Sequence, residues 1–125
     1  MKQVINTEKA PKALGPYSQA ILSGNTLYIS GQVPIDSSTG KLVEGDITAQ
    51  TEQVMKNIEA ILEAAGFGFE NVVKSTCLLS DMKNFGAMNE VYGKYYPVEP
   101  PARAAFAVKE LPLSVLIEIE TVAVK

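Results

Sequence analysis

This sequence predicts an α+β fold, two helices laid on one face of a sheet. Two segments repeat apolar side chains with the period of a helix, and five others carry the short alternating runs of strands. Their order is ββαβαββ, with no internal repeat and no break in composition, so residues 1–125 read as a single domain. Two helices cover only one face of five strands. The other face needs a cover, and a further copy of the chain is the natural candidate.

The first two strands are "YSQAILS" and "TLYISGQV", separated by Gly24-Asn25, a dipeptide suited to a two-residue hairpin turn. That turn sets Tyr17 opposite Gln32, Ser18 opposite Gly31 and Gln19 opposite Ser30, which groups Tyr17, Ser30 and Gly31 at one end. "PIDSSTGKLVEGD" is a loop by its Pro, Gly, Ser and Asp content. From Ile47 to Ala65 the apolar side chains Ile47, Val54, Ile58, Ile61, Leu62 and Ala65 form a helical stripe. Asp46 is placed to cap its start and Gly66 to stop it. "NVVKSTCLLS" reads as a strand. "DMKNFGAMNEVYGKYYP" reads as the second helix, with Phe85, Met88, Tyr92 and Tyr95 on one side and Pro97 ending it. "ARAAFAV" and "VLIEIETVAV" are the last two strands.

Composition removes several kinds of chemistry. There is no histidine, so a Ser-His-Asp triad, a Cys-His pair and a histidine-bound zinc are all excluded. Any general acid or base is then Asp, Glu, Tyr, Lys, Cys or a held water. No cluster has metal-ligand spacing, and no cofactor motif stands out. The net charge is −3 with scattered lysines, which argues against a nucleic-acid partner. One cysteine, Cys77, rules out a disulfide within the chain and fits a reducing compartment. No apolar run reaches membrane-spanning length and the first twenty residues lack a signal-peptide core, so a soluble cytoplasmic protein is expected.

Arg103 is the one arginine among eleven basic residues, and it stands inside an apolar strand. Alternation puts Arg103, Ala105, Ala107 and Lys109 on one face, and Ala104, Phe106 and Val108 on the other. The expectation is that the larger side chains face the core while Arg103 stands among small ones, with room for a carboxylate that its fork binds bidentately. The plainer alternative is a structural salt bridge. In "IEIE", Glu118 and Glu120 share a face opposite Ile117 and Ile119; a merely solvated face is the plain alternative there. A final hairpin through "ELPLS" brings Arg103 near Glu118. Cys77 has no cationic neighbour in sequence and reads as a buried structural thiol. The tyrosines of "VYGKYYP" read as helix packing, and "GFGFEN" follows a helix and precedes a strand, the wrong order for a nucleotide loop.

Six stretches in this order, "INTEKAPKALGPYSQAI", "YISGQVPID", "AILEAAG", "MNEVYGKYYP", "PPARAAFAV" and "IEIETVAV", resemble the Rid/YjgF family of reactive intermediate deaminases. They span nearly the whole chain. The resemblance implies a chorismate-mutase-like α+β fold assembled as a homotrimeric barrel, with sites in clefts between subunits. It implies hydrolysis of 2-imino acids, from enamines such as 2-aminoacrylate, to 2-oxo acids and ammonia. Arg103 matches the family's carboxylate-binding arginine and Glu118 the glutamate associated with the attacking water. Tyr17, Ser30, Gly31 and Asn89 match positions lining the cleft. Ala105 stands where many members carry Cys, a position usually assigned a backbone role, and "LPLSV" replaces the usual Lys-Gly or Lys-Asp after "LP". Such chemistry needs no metal, cofactor or covalent nucleophile, because an imine is already electrophilic. Two other classes fit the same residues: a non-catalytic trimeric binder of small carboxylates, and the ribonuclease or translation-inhibitor role attached to some relatives. Acidic balance and the lack of histidine count against the latter.

Overall fold

The computed structural model of the protein describes residues 1–125. An edge strand that the sequence pattern did not announce, β1 (Lys2–Ile5), pairs antiparallel with β2 (Ala20–Ser23). β2 turns through Gly24-Asn25 into β3 (Thr26–Gln32), with Ser23 opposite Thr26 and Ala20 opposite Ile29 as the two-residue turn requires. The ladder stops there. Tyr17 does not face Gln32; it is exposed in the preceding loop, while Gln32 is buried and pairs with Ile119. The loop after β3 holds a further small hairpin, β4 (Ile35–Asp36) with β5 (Lys41–Leu42).

Asp46 caps α1 (Ile47–Ala64) by accepting from the Ala49 N–H at 3.0 Å, and Gly66 ends it at φ +78°, the left-handed conformation that glycine adopts freely. α1 buries Ile47, Val54, Ile58, Ile61 and Leu62 against the sheet. β6 (Val72–Leu79) follows, then a 3₁₀ turn, and then α2 (Phe85–Tyr95), which buries Met88, Val91 and Tyr92. The chain closes with β7 (Ala102–Ala107) and β8 (Ile117–Val124). Both helices lie on one face of a six-stranded mixed sheet ordered β1-β2-β3-β8-β6-β7. The α+β class holds, with β1 and the small hairpin added to the expected order.

The final pair of strands does not form a hairpin. A helix joins β6 to β7, so the chain returns in the same direction and the two pair in parallel, Ser75 beside Arg103. β8 must then dock on the far side of β6, antiparallel, with Ser75 opposite Thr121 and Leu78 opposite Glu118. The connection crosses the end of β6 and is tied there: Val108 N–H donates to Leu79 O, and Ser80 N–H to Leu116 O.

That order also reverses the expected faces of β7. The row Arg103–Ser75–Thr121 lies on the helix side, where Ser75 and Thr121 are buried. Ala105 pairs with buried Cys77 and packs against the core. Phe106 belongs to the other row, with Leu78 and Glu118, and is 46% exposed. At a sheet edge beneath α2 the small alanine is the one that fits under the helix, and the phenylalanine is left on the uncovered face. Tyr28 is also exposed on that face.

Candidate active site

A β-bulge builds the first half of the site. Ile29 pairs with Thr121 and Gln32 with Ile119, so three steps along β3 match two along β8. Ser30 and Gly31 share the place of one residue, and both turn away from the core while Ile29 and Gln32 stay buried. Gly31 meets the Glu118 side chain directly. A Cβ built on Gly31 would lie 2.9 Å from Glu118 Cδ, closer than real contacts allow, and 3.1 Å from Cγ, tighter than most. Only glycine leaves the carboxylate its place.

Around that contact lies a cleft of about 430 Å³ lined by Leu14, Tyr17, Ser30, Gly31, Leu113 and Glu118, among others. Ser30 Oγ donates to Ser18 O at 2.6 Å and its N–H to Gln19 O at 3.0 Å, which pins the chain entering β2. Tyr17 closes a tight turn, its OH accepting from Leu14 N–H at 3.1 Å. Behind the turn, buried Gln19 accepts from Thr7 N–H at 2.7 Å and donates to Thr7 O and Pro11 O at 3.0 and 2.8 Å. Sequence pattern gave no sign of Gln19, because a buried amide serving backbone groups has no periodicity to read. Buried Asn57 does the same for the other wall, donating to Val33 O and Ile35 O, both at 3.0 Å.

Glu118 is half-buried and Glu120 exposed, so the two carboxylates differ in environment although alternation along β8 gives them the same face. Burial, and after it the charge of Glu120, pushes the Glu118 carboxyl above its ordinary range. Arg103 plays no part in that balance.

The second half of the site is on β7 and α2. Arg103 Nη1 donates to Asn89 Oδ1 at 2.7 Å, and the guanidinium lies 5.0 Å from the Tyr92 ring centroid and 5.4 Å from that of Phe85. Asn89 is its one hydrogen-bond partner, so the salt-bridge alternative has no support. Cys77 lies near by and is fully buried. Burial pushes its thiol up to about 11 while Arg103 pulls weakly the other way, which leaves an inert thiol.

Arg103 and Glu118 do not meet within the chain. β6 lies between their strands, about 10 Å in all, and their register differs by three residues, about 10 Å more along the strands. They also point to opposite faces of the sheet. Glu118 instead joins Tyr17, Ser30 and Gly31, while Asn89 and Ala105 join Arg103. A larger cavity of about 560 Å³ lies between residues 8–14 and the β4–β5 hairpin, but its charged groups, Glu8 and Lys12, are exposed. Nothing there converges on a ligand. No three His, Cys, Asp or Glu side chains are grouped to hold a metal ion, and no helix is long and apolar enough to cross a membrane.

Fold and site together define a mixed-sheet α+β protein that carries a carboxylate cleft on one sheet face and a neutral-partnered arginine beneath α2. The chain belongs to the family described as Endoribonuclease L-PSP, the Rid/YjgF family, which it matches over residues 7–125. A RutC family protein of Pyrococcus horikoshii is 58% identical, covering 100% of this chain and 99% of its own. A mouse protein named 2-iminobutanoate/2-iminopropanoate deaminase is 50% identical, covering 100% of this chain and 93% of its own. A solved Rid-family structure from Yersinia pestis superposes with a TM-score of 0.97 at 45% identity over the whole of both chains.

Proposed function

We propose that this protein is a hydrolase of 2-imino acids, converting them to 2-oxo acids and ammonium in clefts shared between subunits of a homotrimer. The observation that carries the reading is the state of Arg103: a lone guanidinium held by a neutral amide and two aromatic rings, with its charge left for a ligand. The mouse relative's name states the same substrate class.

The chemistry needs little from the protein. Arg103 holds the substrate carboxylate bidentately, with the backbone at Ala105 beside it and Asn89 keeping the guanidinium in place. A water held by Glu118 attacks C2 of the protonated imine. Glu118 takes one proton from that water as the C–O bond forms and returns it to nitrogen. The C–N bond then breaks as the carbonyl forms, and the proton left on that oxygen passes to the departing ammonia, giving ammonium. The balance is R–C(=NH₂⁺)–COO⁻ + H₂O → R–CO–COO⁻ + NH₄⁺. A carboxyl raised by burial is suited to carrying the proton in both directions. Tyr17, Ser30 and Gly31 shape the cleft around the water.

Two halves on opposite sheet faces serve one substrate only if different subunits supply them. The uncovered face, with exposed Tyr28 and Phe106, is the surface such an assembly would bury. RNA cleavage fits poorly despite the family's description, since the chain has no histidine for acid–base work and Arg103 is the one cation the shared cleft would offer, where a nucleic-acid backbone calls for a cluster.

The test couples a threonine dehydratase to this protein and follows release of 2-oxobutanoate. The wild type should accelerate release, Arg103→Ala should abolish the acceleration in a folded protein, and Arg103→Lys should restore little of it. Full activity in folded Arg103→Ala, or no acceleration by the wild type, refutes the reading.

A further inference from the structure

We infer that Phe85 and Tyr92 are positioning residues for catalysis: their rings clamp the Arg103 guanidinium and set both its orientation and its affinity for the substrate carboxylate. This rests on the imine-hydrolase reading and deepens it.

Phe85, Asn89 and Tyr92 stand at i, i+4 and i+7 on α2, the spacing that aligns side chains on one helix face. That face lies over the helix-side row of the sheet that contains Arg103. The helical stripe is therefore only partly a core stripe. Met88 is fully buried in the core, while the rings of Phe85 and Tyr92 lie against the guanidinium at 5.4 and 5.0 Å. Asn89, between them, takes the one side-chain hydrogen bond, at 2.7 Å.

The choice of neutral partners has a consequence. A carboxylate in place of a ring would hold Arg103 equally still but would neutralise it and compete with the substrate. An aromatic face attracts the cation through its quadrupole and leaves the guanidinium edge, with its N–H donors, free for an anion. Tyr92 is itself fixed. It is buried, its ring lies 4.8 Å from that of Tyr96, and both hydroxyls lie under α2 beside the buried Ser75. Ser75 is the strand neighbour of Arg103. The clamp is thus built into the core, on rigid elements.

The single arginine makes the test direct, because arginine-labelled protein gives one Nε–H resonance. Against free arginine, the wild-type resonance should be shifted by ring currents. The shift should shrink in Phe85→Leu and Tyr92→Leu and persist in Tyr92→Phe, which keeps the ring and loses the hydroxyl. Titrated with 2-oxobutanoate, the two leucine variants should bind roughly 5- to 30-fold more weakly, the range a cation–π contact implies. KM should rise in parallel, with kcat within about 3-fold. Folding is checked by a cooperative melt, and Phe85 is the safer site because it is only partly buried at the start of α2.

Leucine variants that are folded and bind like the wild type overturn the clamp, as does Tyr92→Phe binding as weakly as Tyr92→Leu. A ring-shifted wild-type resonance that ignores 2-oxobutanoate leaves the clamp geometry standing but refutes both the carboxylate-anchor reading and the catalytic role inferred from it.

Discussion

Gly31→Ala separates the site from the fold more cleanly than any other single change. The new Cβ would stand 2.9 Å from Glu118 Cδ and 3.1 Å from Cγ, against an ordinary carbon contact of about 3.5–4.0 Å. Something has to move by most of an ångström. The backbone is held on both sides of the bulge, by Ser30 N–H on Gln19 O and by the Gln32–Ile119 pairing. The Glu118 side chain is the soft partner, so it swings away. Rotating one half-exposed glutamate costs about 1 kcal/mol, and alanine recovers part of that by loosening the unfolded chain less than glycine does. Stability should therefore change by less than about 1 kcal/mol. Activity should not escape so lightly, since displacing a catalytic group by about 1 Å costs on the order of 10²-fold, or about 2.7 kcal/mol in the barrier.

The assay is 2-oxobutanoate release from a coupled dehydratase, with the thermal midpoint measured alongside. A second arm uses Glu118→Gln as background. If Gly31 acts by making room for Glu118, Gly31→Ala should remove little further activity once the carboxylate is gone, and the two losses should be strongly non-additive. Retention of activity within about 3-fold in Gly31→Ala would refute the reasoning. Full additivity would show that glycine serves something other than Glu118.

Glu118→Gln should lower kcat/KM by about 10²-fold and Glu120→Gln should be near neutral at pH 7; equal losses would break the assignment. Because burial and then Glu120 raise the Glu118 carboxyl, the acid limb of the kcat/KM profile should lie above the ordinary carboxylate range and move to lower pH in Glu120→Gln. The stability sign is the reverse of the usual acid case: a raised folded pKa contributes stability below the unfolded value and loses it as pH rises through the folded one, so Glu118→Gln should flatten that fall. For the shared cleft, Arg103→Ala and Gly31→Trp chains, each inactive alone, should recover about one quarter of wild-type activity when co-refolded in equal amounts. A random trimer completes a site only where both contributors carry the intact half. No recovery, with mixed trimers shown to form, would place the whole site in one chain.

The hairpin turn, both helices, the caps of α1 and the last three strands were legible because each follows from local pattern. Asp46, Gly66 and Gly24-Asn25 act within a few residues of themselves. What the pattern did not carry was strand order. "ARAAFAV" and "VLIEIETVAV" are near neighbours in sequence, and a hairpin through "ELPLS" looked natural, yet the helical crossover from β6 commits β7 to a parallel edge and sends β8 past it. That non-local choice moved Arg103 beneath α2, reversed the faces of β7 and took Glu118 to Gly31. Tyr17, Ser30 and Gly31 do gather at one end of the hairpin, through the tight turn at Tyr17 and the bulge at Ser30–Gly31, and alternation along β8 brings Glu118 to them. β1 went unread because "KQVI" is four residues long and has no turn at either end.

The separation of the two charges is itself an argument for how the site works. Had β7 and β8 formed a hairpin, Arg103 and Glu118 would pair in every free chain, each satisfying the other. The carboxyl would then be held low and the guanidinium neutralised, and a substrate would have to break an ion pair to enter. In the fold as it stands neither is spent in this way. Glu118 is raised by burial, and Arg103 is held by an amide and two rings. On the proposed mechanism each would enter a shared cleft in the state the chemistry wants, a proton carrier with a carboxyl above its ordinary range and an unpaired cation. A substrate whose own carboxylate bound Arg103 would complete the charge balance that the protein leaves open. The parallel edge strand, which made the fold harder to read, keeps the two charges apart within the chain, as the proposed mechanism requires.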